Sequence, residues 1–87
     1  MDVKMCVAGE HGDGRDLFYC IVSGTKQEYN EGLFYVAAKN YIESTFDIEA
    51  EFVCDENDPC GKFIMTGFQW NSLNGTPKVK VEDYNWE

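Results

Sequence analysis

The residues best equipped for chemistry in this chain are four cysteines, a single histidine and a dense run of carboxylates. A thiolate beside an imidazole is a nucleophile, and His11 could pair with Cys6 or Cys20. Either thiol would then need a lowered pKa and open access to a substrate. Both cysteines instead lie in apolar segments, where a free thiol packs as a small hydrophobe. No nucleophile elbow, phosphate loop or paired-carboxylate motif is present. The chain is therefore expected not to be an enzyme.

Binding of a small cofactor or metal finds equally little support. The glycine-rich stretch over residues 9–15 carries Glu10 and Asp13, which oppose a phosphate, and it joins two strands rather than opening a helix. Glu10, His11, Asp13 and Asp16 match no cation-site spacing. Cys54 and Cys60 are separated by five residues, where structural zinc sites mostly use two to four. A four-thiolate site would need Cys6, Cys20, Cys54 and Cys60 to converge at one end of a sheet. No cofactor and no metal are expected. A Cys54–Cys60 disulfide is the rival arrangement under oxidising conditions.

The acidic run is the strongest feature. Glu43, Asp47, Glu49, Glu51, Asp55, Glu56 and Asp58 place seven carboxylates in sixteen residues, against 16 × 16/87, about three, for an even spread. No Lys or Arg lies between Lys39 and Lys62. Glu49 and Glu51 share one strand face, about 6.6–6.8 Å apart. That is close to the separation of successive phosphates along a nucleic-acid strand, so such a row can stand in for a backbone in a Lys/Arg-lined channel. These seven residues are the candidate partner-binding set. The plainer reading is a solvated strand face whose like charges discourage aggregation.

The elements that must position these residues follow from hydrophobic periodicity. Residues 3–8 alternate as a strand, and residues 9–15 read as a loop. Residues 17–22 form a continuous apolar run, fitting a central strand buried on both faces. Thr25 with Glu28 makes a capping box that opens a helix ending by Phe46-Asp47, with Gly32 shifting its effective start toward Asn30. Phe34, Ala38, Tyr41, Ile42 and Thr45 form the apolar helix face, and Lys39, Asn40, Glu43 and Ser44 the polar one. Residues 48–54 alternate, with Ile48, Ala50, Phe52 and Cys54 on one side and Glu49, Glu51 and Val53 on the other. A strand over 63–70, an Asn74-Gly75 turn and an edge strand around Val79 and Val81 complete the pattern.

The predicted order is β-β-α-β-β-β in one α+β domain spanning residues 1–87. Its antiparallel sheet carries one helix on one face, and the other face is solvated or free for a partner. An edge strand could also pair two copies, so the protein is expected as a monomer or a homodimer. Tyr29, Tyr35, Trp70, Tyr84 and Trp86 are candidates for surface anchoring.

Seven Lys and Arg against sixteen Asp and Glu give a net charge of −9. That charge repels nucleic acid and anionic membranes and favours a basic protein partner. No apolar run reaches membrane-spanning length and no secretory leader is visible, so a cytoplasmic setting with reduced thiols is expected. In size, charge and poverty of catalytic groups the chain resembles the small acidic inhibitors that phages and mobile elements direct at nucleic-acid enzymes, among them anti-CRISPR proteins and nuclease inhibitors. The resemblance implies inhibition by nucleic-acid mimicry. The alternatives are a general interaction module docking by its open sheet face or an edge strand, and a small cysteine-based zinc or redox domain.

Overall fold

The computed structural model describes residues 1–12, 14–57 and 77–86. Its centre is a long hairpin of β1 (Asp2–His11) and β2 (Gly14–Ser23), paired antiparallel from Asp2↔Ser23 to His11↔Gly14. The strands therefore run into the loop expected over 9–15, β1 as far as His11 and β2 from Gly14. Gly9 explains the difference, because it is a packing residue within a strand rather than a turn former. A Cβ there would stand 2.6 Å from Phe18 Cε2 and press on Ile48.

The third strand, β3 (Glu49–Asp55), pairs antiparallel with the other edge of β1. A short β4 (Lys78–Lys80) lies beside β2, giving the order β3-β1-β2-β4. The sheet is mostly antiparallel, and among the described residues the one parallel pairing is β2 with β4, from Ile21↔Lys78 to Ser23↔Lys80. Lys78 also holds Asp2 at 3.1 Å, and the Ser23 hydroxyl donates to the same carboxylate at 2.7 Å. The strand expected over 63–70, the Asn74-Gly75 turn, Asp58, Cys60 and Trp70 lie outside the described residues.

Between β2 and β3 the chain forms two helices, not one. Thr25 caps α1 (Lys26–Asn30) through a reciprocal box: its hydroxyl accepts from the Glu28 N–H at 3.1 Å, and its own N–H donates to Glu28 Oε1 at 2.8 Å. Gly32 then adopts φ 82°, the left-handed conformation glycine enters without steric cost, and this breaks the helical path. The main helix, α2 (Leu33–Phe46), starts beyond it and ends at Asp47, itself left-handed at φ 54°. Gly32 thus divides the helical segment instead of moving its start toward Asn30.

The inward face of α2 is Phe34, Ala37, Ala38 and Ile42, packed on Val3, Met5, Val7, Phe18, Cys20, Val22 and Ala50 of the sheet. Thr45 is exposed, and Asn40, expected on the solvent side, is buried. The cause is the C-terminal segment. Val81 leaves the expected strand to begin a single turn, α3 (Val81–Tyr84), whose chain runs back over α2. The Asn40 side-chain amide donates to the Tyr84 carbonyl at 2.8 Å and also to the Trp86 carbonyl. Tyr84 meets Tyr41 edge-on, with ring centroids 5.4 Å apart.

The sheet face away from the helices is not solvated at its centre. Cys6, Tyr19 and Cys54 are buried there, with Leu17 and Val53 packed against them. The apolar run of β2 supplies buried side chains to both faces, as residues 17–22 predict. A register shift between Cys6 and Val7 sets the other half of this pattern. Cys6 faces Cys54 while Val7 faces Phe52, so Val53 is the extra residue of a β-bulge. The expected alternation of β3 fails at that point. Cys54 turns to the outer face and Asp55 turns inward to 1% exposure. There Asp55 accepts from the Tyr29 hydroxyl and from the Asn57 N–H, each at 2.8 Å.

This buried carboxylate ties α1 to β3. Tyr29→Phe removes one hydrogen bond to it and should cost about 1–2 kcal/mol, whereas Asp55→Ala strips the acceptor from two donors and should cost about 3 kcal/mol. Urea unfolding curves of both variants test the order. Equal, near-zero losses would mean that the bulge does not depend on Asp55.

Candidate partner-binding surface

The β1–β3 register decides where the acidic residues go. Glu10 lies directly opposite Glu49, and Ala8 lies opposite Glu51. Glu10, Glu49 and Glu51 are all exposed, and with Ala8 and Ala50 they line a shallow hollow of about 280 Å³ at one end of the sheet. The small Ala8 side chain leaves the hollow open beside the three carboxylates. The three carboxylates concentrate negative charge at this end of the sheet.

The seven residues singled out by sequence do not form one patch. Asp47, Glu49, Glu51 and Glu56 are exposed, and Asp58 lies outside the described residues. Asp55 belongs to the core, for the reason given by the bulge. Glu43 is a clamp between α2 and β3: its carboxylate accepts from Lys39 Nζ and from the Ala50 N–H, each at 3.0 Å. Glu56 sits at the opposite end of β3 from the hollow, where its N–H donates to the Lys4 carbonyl at 3.0 Å. The surface is therefore smaller than the sequence segment, and it gains Glu10. Extending the alternation of Lys4, Cys6 and Ala8 by one step would have found Glu10; the glycines around it concealed the signal.

The aromatic candidates mostly serve packing. Tyr35 stacks on Phe52 with centroids 4.1 Å apart, and Tyr29 meets Phe34 edge-on at 5.3 Å. Tyr84 is half-buried against Tyr41, while Trp86 is 50% exposed. Burial, with Asp55 and Tyr29 nearby, pushes the Tyr35 hydroxyl up to about 12.

The cysteines are divided by the sheet. Cys20 packs under α2, and Cys6 and Cys54 pack on the opposite face, so these three do not converge from one side as a four-thiolate site requires. Burial, reinforced by neighbouring Cys6, pushes the Cys20 thiol up to about 12. Burial there disfavours the thiolate form that a nucleophile needs. Among the described residues no three His, Cys, Asp or Glu side chains are grouped to hold a metal ion, and no helix is long and apolar enough to cross a membrane. No family model, no curated protein and no solved structure matches the chain.

Burial alone would raise the Glu43 pKa, but the Ala50 N–H and Lys39 outweigh it and hold the carboxyl below its ordinary 4.5. Asp2 is likewise lowered, by the Ser23 hydroxyl and by Lys78. A carboxyl depressed in the folded state contributes stability above its unfolded pKa and loses it as pH falls through the folded value. Thermal melts below pH 4.5 should accordingly show Glu43→Gln losing less stability on acidification than the parent chain. Parallel pH profiles would remove Glu43 from the clamp.

Proposed function

We propose that this chain is a non-enzymatic binding protein that inhibits a nucleic-acid-handling enzyme by occupying its basic nucleic-acid-binding surface. The observation that carries this reading is the placement of Glu49 and Glu51 on one exposed face of β3, with Glu10 directly opposite Glu49. Glu49 and Glu51, at strand spacing, present negative charge at an interval that a Lys/Arg-lined channel accepts from a phosphate backbone, and Glu10 adds a third carboxylate across the pairing. A net charge of −9 adds long-range attraction, so association is fast and weakens with salt. Asp47 and Glu56 add exposed negative charge outside the hollow. The reading agrees with a reducing, cytoplasmic setting, in which the buried thiols stay reduced.

The interaction is specific in what it needs. Binding should depend on the exposed carboxylates and be indifferent to Glu43 and Asp55 except through stability. The basic partner would lose nucleic acid as it gains the inhibitor, because both compete for one surface.

A tagged chain retained on a column at low salt should capture a nucleic-acid enzyme from host lysate and release it as salt rises. With that enzyme in hand, the double variant Glu49→Lys/Glu51→Lys, whose net charge is −9 + 4 = −5, should keep its fold and bind about tenfold more weakly or worse. The parent chain should also displace a labelled oligonucleotide from the enzyme. Unchanged affinity, or simultaneous binding of chain and oligonucleotide, would overturn the reading. Binding that ignores both salt and charge reversal would point instead to docking by an edge strand.

A further inference from the structure

We propose that Cys6 and Cys54 are a latent cross-strand disulfide that closes when the chain meets an oxidising pool of low-molecular-weight disulfide, locking β3 onto β1. The two residues are direct partners in the antiparallel register, neither is in a disulfide, and both are buried in one cluster on the outer face of the sheet. Directly opposed residues in an antiparallel pair have Cα atoms about 4.5–5.5 Å apart. A disulfide spans about 4.4–6.8 Å between Cα atoms, a range that facing residues of an antiparallel pair supply. Cys20 is excluded from the pairing because it faces α2 from the other side of the sheet.

This pairing replaces the Cys54–Cys60 bridge that chain proximity would favour. It arises from the bulge: were the alternation of β3 unbroken, Cys54 would face the helices and Cys6 would have no thiol opposite it. The chemistry is ordinary thiol–disulfide exchange. The thiolate of one cysteine attacks a sulfur of oxidised glutathione and expels one glutathione thiolate, leaving a mixed disulfide. The second protein thiolate attacks the protein sulfur of that mixed disulfide and expels the other glutathione. Two protein thiols are oxidised, one small disulfide is reduced to two thiols, and two protons pass to solvent or the leaving thiolates.

Closure cross-links residues far apart in sequence and pins the register beside the bulge. Since the same register sets Glu49 against Glu10, the oxidised chain holds its acidic hollow more rigidly than the reduced one. The pairing itself depends only on the β1–β3 geometry and stands whether or not that hollow binds a nucleic-acid enzyme.

The test is incubation of the folded full chain with oxidised glutathione at mildly alkaline pH, followed by alkylation of remaining thiols and peptide mapping by mass spectrometry. The expected product joins the peptides of Cys6 and Cys54, leaves Cys20 and Cys60 alkylated, and melts roughly 10 °C higher than the reduced chain until reductant is added. Cys60→Ser should form the same product and Cys6→Ser should not. A Cys54–Cys60 bridge, any bridge to Cys20, or four thiols that remain free while the urea-unfolded chain oxidises would overturn the proposal.

Discussion

The bulge at Val53 sets the arrangement of everything on the β1–β3 side of the molecule. One extra residue in β3 reverses the facing of all that follows it, because side chains in a strand alternate with a period of two. Before the bulge, Ala50 and Phe52 face the helices and Glu49 and Glu51 face outward. After it, Cys54 points outward and Asp55 points in. A buried carboxylate is tolerable only when its oxygens find donors, and Asp55 finds them in the Tyr29 hydroxyl and the Asn57 N–H. The short helix α1 is held against the sheet through that contact, and the capping box at Thr25 brings Tyr29 to the necessary place.

The same feature separates structural from available charge. A run of seven acids looks uniform along the chain, yet Glu43 and Asp55 are spent on internal contacts that join helix to strand. Of the exposed acids, Glu49 and Glu51 gather with Glu10 at one end of the β1–β3 pairing, while Glu56 lies at the other end of β3.

The C-terminal segment shows a second kind of non-local control. Asn40 has the composition of a surface helix position and lies on the polar stripe of α2. It is nevertheless buried, because two carbonyls of the returning chain, those of Tyr84 and Trp86, need a donor. Tyr84 covers Tyr41 in the same contact, and β4 enters the sheet parallel to β2 just before the turn. Helical periodicity describes a helix against one neighbouring layer; a third segment crossing it adds a buried position the period does not contain.

Composition and period by themselves determined an α+β fold, the strand content of residues 3–8 and 17–22, the Thr25 cap, the end of the helix at Asp47 and the exposure of Glu49 and Glu51. Each of these rests on interactions within a few residues, or on the plain requirement that apolar runs be covered. The extension of the hairpin through Gly9, the division of the helix at Gly32, the bulge at Val53, the burial of Asn40 and Asp55 and the pairing of Glu10 with Glu49 were decided only by tertiary structure. Every one depends on what lies across a strand or over a helix: a ring against a missing Cβ, a register between distant strands, a donor brought to a carboxylate. Such contacts join residues tens of positions apart, and a local pattern holds no record of them.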